Sequence, residues 1–97
     1  MADTTKYVAV RARIHGKVQG VWFRGWTEGE AKRLGVHGWV RNRQDGTVEA
    51  LFYGHQDDVD VLLALCRMGP PAADVDKIET EPAQGMVPHR FEVKPTV

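Results

Sequence analysis

The order of strand and helix patterns along this chain predicts an α+β fold, with two helices on one face of a mainly antiparallel sheet. Three observations support the prediction: an alternating apolar segment near the start, two segments of helical periodicity, and an Asp-Gly turn between two strands that separate those helices. The order β-α-β-β-α-(β)-β is that of the split βαβ, or ferredoxin-like, sandwich. Right-handed crossovers place both helices on the same face of the sheet.

The first part of the chain is expected to form a strand, a loop and a helix. Residues 6–14 alternate between apolar and polar side chains, which indicates a half-buried strand. Gly16 and Gly20 then bracket a loop. From residue 22 to residue 34, apolar side chains recur at steps of three and four, which predicts a helix that Gly35 ends.

The middle of the chain predicts a hairpin followed by a second helix. Residues 36–42 and 47–53 are expected to be strands, and the Asp45-Gly46 pair between them is typical of a tight turn. A helix is expected after Gly54. Its buried face would consist of Val59, Leu62, Leu63 and Cys66.

Two extended segments end the chain after the break at Pro70-Pro71. Residues 75–81 are predicted as an optional extra strand, and residues 89–94 as the last strand. With 97 residues, of which 42% are apolar, the chain is long enough for one real core, and we expect residues 1–97 to be a single domain.

Charge and cysteine content exclude several classes of function. Thirteen basic and thirteen acidic residues cancel, which argues against binding driven by charge to nucleic acid or to an anionic membrane. The single Cys66 cannot form an intrachain disulfide, and the polar segment Met1 to Lys6 lacks the apolar stretch of a signal peptide. With no apolar run of membrane-spanning length, we expect a cytoplasmic protein.

The predicted topology places chemically useful residues at one edge of the sheet. The first two strands are joined through a helix and run in the same direction, so the end of strand one, the start of helix one and the end of strand two meet there. A glycine-bracketed loop that leads into a helix can bind an anion through backbone N–H groups. Arg24, in the first helical turn, offers a planar fork for phosphate oxygens, and Asn42 can hold a water molecule.

Each of these residues also has a plain structural explanation. Gly16 and Gly20 could simply shape a turn, Arg24 could be a solvated surface charge, and Asn42 could be a turn former. Only their convergence in the predicted fold favours a site.

Three segments of this sequence resemble a known family. The run Gly16-Lys17-Val18-Gln19-Gly20-Val21-Trp22-Phe23-Arg24 resembles the acylphosphatase signature. The same is true of Gly38-Trp39-Val40-Arg41-Asn42 with Asp45-Gly46-Thr47-Val48-Glu49, and of Gly69-Pro70-Pro71-Ala72-Ala73-Asp74-Val75. The resemblance extends from about Val8 to Thr96, which is nearly the whole chain.

The resemblance implies hydrolysis of the carboxyl–phosphate bond of acyl phosphates, without a metal or another cofactor. It assigns phosphate binding to the loop and to Arg24, and positioning of the attacking water to Asn42. The implied phosphate-binding loop residues are Gly16, Lys17, Val18, Gln19, Gly20 and Val21. Arg43 departs from the small hydroxyl residue that some members carry after the asparagine. The expected partners are an acyl phosphate and the product inorganic phosphate, with no nucleic acid and no membrane, and the chain is expected to be a monomer.

The remaining histidines and aromatic residues are given structural roles. His15, His37, His55 and His89 are scattered without metal-ligand spacing. Trp22, Trp26 and Trp39 are expected near the proposed site and are interpreted as core or rim residues, with substrate contact as the alternative. Gly25 and Gly29 weaken the first helix, and only close packing of another element would explain Gly29.

Two other functions stay open at this point. Exposed aromatics such as Tyr7, Trp39 and Tyr53 could make the sheet an RNA-binding surface. Alternatively, the chain could sense a small ligand, with the anion-binding loop kept and turnover lost.

Overall fold

Five strands and two helices follow one another in the predicted order. The structure, a computed structural model, describes residues 6–85 and 87–97. The elements are β1 (Tyr7–Lys17), α1 (Phe23–Leu34), β2 (His37–Asn42), β3 (Val48–His55), α2 (Gln56–Met68), β4 (Asp74–Pro82) and β5 (Phe91–Val93). The polar segment before Lys6, on which the expectation of no signal peptide rests, lies outside the described residues.

The strands form one sheet in the order β4-β1-β3-β2-β5. The pairs β1–β3, β1–β4 and β2–β3 are antiparallel, and β2–β5 is parallel. The arrangement is the predicted split βαβ sandwich with one strand added beside β2. Because α1 connects the parallel strands β1 and β2, the end of β1, the start of α1 and the end of β2 lie at the same edge, as predicted.

The two edge strands and the end of the first strand differ most from the prediction. The segment predicted as an optional strand is β4, a nine-residue strand that pairs with β1, and the added edge strand is the three-residue β5. The first strand continues to Lys17, because Gly16 pairs with Val75 and Lys17 with Asp74 of β4. Gly16 and Lys17 therefore belong to β1, and the prediction that Gly16 opens the loop is wrong.

The core lies between the helices and one face of the sheet. Phe23, Thr27 and Ala31 of α1 are buried. Of the predicted α2 face, Val59, Leu62 and Cys66 are buried and Leu63 is partly buried. From the strands, the core takes Ala12, Ile14, Val40, Val48, Ala50, Phe52 and Phe91. Each large side chain buried here contributes about 1.5–3 kcal/mol. Neither helix of the described residues is long and apolar enough to cross a membrane.

Gly29 has no packing role that the described residues reveal. A Cβ added at this position would meet no atom of another element of those residues within 4 Å. The suggestion that another element packs closely against Gly29 is therefore wrong, and nothing in the structure explains this glycine.

Glu49 of β3 is a buried carboxylate on the sheet face opposite the helices. Its side chain is 6% exposed and accepts hydrogen bonds from Arg41 Nε at 2.9 Å and Arg43 Nη1 at 2.8 Å. Arg11 of β1 also approaches it, at 4.0 Å. Burial raises the pKa of Glu49, but the hydrogen bonds from Arg41 and Arg43 outweigh that effect and hold the pKa below its usual value.

Replacing Glu49 with Gln should therefore destabilise the fold at neutral pH. We expect a loss of about 1.5–3 kcal/mol in the free energy of unfolding, since hydrogen bonds to a charged group are lost. A group whose pKa is lowered by folding stabilises the fold above its unfolded-state pKa, and that contribution disappears as the pH falls through the folded-state value. Urea unfolding at pH 7 and at pH 3 should thus show a difference between Glu49→Gln and wild type that shrinks on acidification.

Glu81→Gln is the matched control for this experiment. Glu81 is 66% exposed and its contact with Arg11 is 3.8 Å long, so its removal should change stability by less than about 1 kcal/mol. Equal losses for the two variants, or a Glu49→Gln deficit that does not depend on pH, would contradict the assigned role.

Candidate functional site

The chain between β1 and α1 forms a five-residue loop, residues 18–22, with an unusual backbone. Gly20 has φ 75° and Trp22 has φ 66°, whereas Val21 between them does not have a positive φ. Such alternation of hand turns successive N–H groups toward a common point, as in anion-binding nests. Trp22 is not a glycine, and a left-handed conformation costs it about 1–2 kcal/mol.

The loop is aimed by an irregularity at the end of β1. The pairing of β1 with β4 shifts register between His15 and Gly16, and Gly16 has φ 124°. A Cβ at Gly16 would lie 2.7 Å from the Asp76 backbone nitrogen. Gly16 thus allows β4 to approach closely and turns β1 toward the loop, but it does not line the site.

Helix α1 presents an uncapped N-terminus to this loop. Trp22 is the N-cap residue and makes no side-chain capping bond, and the first turn contains no acidic residue. The first N–H groups of a helix lack partners within the helix, and the helix dipole adds positive potential at that end. The start of α1 is therefore suited to an anion.

A cavity of about 300 Å³ opens where the loop, the start of α1 and the end of β2 meet. Its lining residues are Val18, Gln19, Gly20, Trp22, Phe23, Arg24, Gly25, Asn42 and Val93. Of these, Arg24 is the only charged residue. The structure thus brings Asn42, which is distant in sequence, beside Arg24 and the loop, and the cavity carries a net positive charge.

The two predicted catalytic side chains have no polar partner among the described residues. In that part of the chain, neither the Arg24 guanidinium nor the Asn42 side-chain amide forms a hydrogen bond or an ion pair. By contrast, Arg33 of the same helix is paired with Glu30. The donors of Arg24 and Asn42 are thus available to a ligand in the cavity.

The Gln19 side chain connects the loop by hydrogen bonds to the hairpin between β2 and β3. Its Nε2 group donates to the carbonyl oxygen of Arg43 at 2.7 Å and to that of Thr47 at 2.8 Å. The Arg43 carbonyl belongs to the residue that follows Asn42, so Gln19 ties the loop directly beside Asn42. Both donors of this amide are used, so its nitrogen has no hydrogen left to donate to a ligand.

Arg43 lies next to Asn42 but its charge is directed elsewhere. Its guanidinium donates to Glu49 on the opposite face of the sheet. The arginine that replaces a small hydroxyl residue therefore adds no free charge to the cavity.

The predicted site residues divide into two groups. Val18, Gln19 and Gly20 line the cavity with Arg24 and Asn42. Lys17 is exposed on β1, and the Val21 side chain is buried in the core. Gly16, Lys17 and Val21 therefore do not line the cavity, although Val21 lies within the loop.

The three tryptophans differ in their surroundings. Trp22 lines the cavity and is 72% exposed, and Trp26 packs edge-on against Phe23 in the partly buried layer. Trp39 lies on the other face of the sheet, with Arg41 Cζ 4.7 Å from its ring centroid. The expectation that Trp39 is near the site is therefore wrong.

Other titratable groups have local roles. His15 Nε2 lies 2.6 Å from Glu79 Oε1, and this hydrogen bond is the main cause of the lowered pKa of Glu79. Burial is the main cause that raises the pKa of Cys66 to about 12, so this thiol is a small core residue rather than a nucleophile. No group of three potential metal ligands occurs within residues 6–85 and 87–97.

A larger cleft, of about 410 Å³, lies on the open face of the sheet between β1 and β4. Its charged lining is mixed, because Glu79 and Glu81 face Arg11 and Arg13. Arg11 is paired with Glu81. In this cleft the arginines are therefore opposed by carboxylates, whereas Arg24 in the smaller cavity is not.

The fold and the cavity together define an α+β fold with a cavity suited to an anion at one edge of its sheet. Comparison with known proteins identifies the family to which this chain belongs. The acylphosphatase family matches residues 10–93. The chain is 51% identical to an acylphosphatase of Rhizorhabdus wittichii over 96 residues, which cover 99% of this chain and 97% of that protein. It is 54% identical to an acylphosphatase of Rhodospirillum rubrum over 85 residues, 88% and 93% of the two chains.

A solved structure of another acylphosphatase is similar to this chain in its fold. An acylphosphatase from Coxiella burnetii is similar with a TM-score of 0.87 and 32% identity, covering 91% of this chain and 93% of that one. This protein therefore belongs to the acylphosphatase family, and the predicted fold and family are confirmed.

Proposed function

We propose that this protein hydrolyses the carboxyl–phosphate bond of acyl phosphates, with Arg24 and the loop backbone binding the phosphoryl group and Asn42 positioning the attacking water. The activity follows from membership of the family. The observation that supports the residue roles is the cavity in which Arg24 and Asn42 face the loop with no other polar partner among the described residues.

The proposed reaction needs little from the protein beyond positioning and charge. Water attacks the phosphorus atom as the bond between phosphorus and the bridging oxygen breaks, and the acyl group leaves as a stable carboxylate. Charge on the phosphoryl oxygens is balanced by Arg24, by N–H groups of residues 18–22 and by the start of α1. Asn42 accepts a hydrogen bond from the water and holds it in line with the bond that breaks.

Hydrolysis of acetyl phosphate by the purified protein in the presence of a chelator tests this function. We expect turnover that the chelator does not reduce and competitive inhibition by inorganic phosphate. Folded protein without turnover would contradict the enzymatic function and would favour a ligand sensor. Turnover that the chelator removes would contradict the proposed metal-free mechanism.

The proposal also covers the surroundings in which the enzyme acts. We propose a cytoplasmic monomer that binds no nucleic acid. The balanced charge of the chain supports the absence of nucleic acid binding, and the buried, unpaired Cys66 supports a reducing compartment. On the open sheet face, the Trp39 ring is already in contact with Arg41, which leaves it less available for base stacking.

Gln19 is proposed to position the loop relative to Asn42, and its substitution tests that role. Gln19→Leu removes both bonds to the hairpin, so the attacking water and the phosphoryl group should lose their alignment. We expect kcat to fall by about tenfold or more, because small displacements are costly in such reactions. Inhibition by phosphate should change much less, since Arg24 and the helix start are intact.

Gln19→Glu separates positioning from a general structural effect. The ionised carboxylate cannot donate to the two carbonyl groups, but its protonated form regains one donor. The kcat of Gln19→Glu should therefore rise relative to that of Gln19→Leu as the pH is lowered. Parallel pH profiles for the two variants would contradict a positioning role.

A further inference from the structure

Trp22 combines three features that folding alone does not favour. Its backbone is left-handed, its side chain is 72% exposed, and it occupies the N-cap position without making a capping bond. A polar residue or a glycine would suit the same position better. Departures from local preference of this kind concentrate at functional sites.

Gly25 provides the space in which the Trp22 indole lies. A Cβ added at Gly25 would overlap the indole Nε1 atom and would lie 2.7 Å from Cε2. The absence of a side chain at Gly25, within helix α1, thus lets the ring lie directly against the first turn. This gives a structural reason for Gly25, which the sequence showed only as a residue that weakens the helix.

The indole lies at the cavity in which the phosphoryl group is proposed to bind. Trp22 and Gly25 line this cavity with Arg24, and Val93, 41% exposed, is an apolar residue on the β5 side. The part of the cavity next to the cationic group is therefore bounded by exposed apolar surface. A substrate with a phosphate at one end and an apolar group beyond its carboxyl carbon matches that arrangement.

We infer that Trp22 contacts the acyl part of the substrate, so that the enzyme selects acyl phosphates with an aromatic or other apolar acyl group. This inference rests on the proposed function and adds a substrate class to it. The flat indole face supplies contact area at low entropic cost, and the apolar acyl group covers surface that is exposed in the free protein.

Competition between an aromatic and a small acyl phosphate tests the inference. The kcat/KM values for benzoyl phosphate and acetyl phosphate are measured for wild type, Trp22→Ala, Trp22→Phe and Gly25→Ala. We expect the benzoyl-to-acetyl ratio to fall by about tenfold in Trp22→Ala, the effect of losing one apolar contact in a pocket. Gly25→Ala, which displaces the ring without removing it, should lower the ratio too, and Trp22→Phe should retain most of it.

Tyr7→Ala is the matched control, because Tyr7 is an exposed aromatic residue, 54% exposed, that stacks with Tyr53 outside the cavity. Its ratio should equal that of wild type. An unchanged ratio in Trp22→Ala would overturn the inference, as would an equal fall for both substrates, which would mean that Trp22 only shapes the loop. If wild type hydrolyses neither substrate, the proposed function itself fails, which is a different outcome.

Discussion

Arg24→Ala should lower kcat/KM for acyl phosphates by about 10³-fold or more, the range seen when an arginine that stabilises phosphoryl transfer is lost. Arg24 is the only charged residue in the lining of the cavity, so no second cation can replace it. The same substitution should weaken competitive inhibition by inorganic phosphate, because the guanidinium is proposed to hold phosphate oxygens in the ground state as well. Initial rates and phosphate inhibition constants measure both effects.

Arg24→Lys examines the geometry of the contact. An ammonium group keeps the charge but not the planar fork, so we expect only a small part of the activity to return. Near-normal turnover of Arg24→Lys would contradict a bidentate contact. Arg33→Ala is the matched control, since Arg33 is on the same helix, 60% exposed and paired with Glu30, and its loss should leave turnover unchanged.

Asn42→Ala should act on kcat rather than on phosphate binding. We expect kcat to fall by about 10²-fold or more, as when one positioned hydrogen-bonding group is removed from an active site. Phosphate should still inhibit with a similar constant, because Arg24, the loop and the start of α1 remain. Comparing kcat with the phosphate inhibition constant separates positioning of water from binding of the anion.

Gln44→Ala is the control for Asn42, because Gln44 is an exposed amide two residues further along the same turn. Its removal should not change kcat. If Asn42→Ala instead lost phosphate inhibition and kept its kcat, the role assigned to Asn42 would be wrong.

The convergence of Arg24 and Asn42 was predictable because connectivity alone determines it. A helix between two parallel strands forces the end of the first strand, the start of the helix and the end of the second strand to one edge of the sheet. The parity of Asn42 with Val40 then places it on the helix side, where the cavity opens. Neither step depends on side-chain detail.

The boundaries of β1 and β4 were harder to predict, for a physical reason. Only Val75 and Ile78 of β4 are partly buried, so this edge strand lacks the alternation that marks a half-buried strand. Without β4, nothing in the sequence indicates that β1 continues past Ile14, and Gly16 resembles a loop glycine. The bulge that turns β1 into the loop exists only in the pairing of two distant strands.

Contacts between side chains and distant backbone groups also could not be predicted from the sequence. The two hydrogen bonds from Gln19 to the hairpin join residues that are 24 and 28 positions apart in sequence. They therefore depend on the final positions of both segments. In the same way, the space at Gly25 has meaning only once the direction of the Trp22 ring is known. The left-handed backbone of residue 22 would have been a signal, but such a backbone is inferred from glycine or asparagine and not from tryptophan.

The Thr47 carbonyl oxygen accepts from both the Gln19 side chain and the Arg43 backbone. The hydrogen bond that closes the turn, from the Arg43 N–H, and the hydrogen bond that holds the loop, from Gln19 Nε2, therefore end on the same oxygen atom. Local opening of either segment weakens the other, so amide protons in the two segments should exchange with solvent as one cooperative unit. A partly assembled cavity is then a scarcely populated state, because the loop and the hairpin beside Asn42 become ordered together.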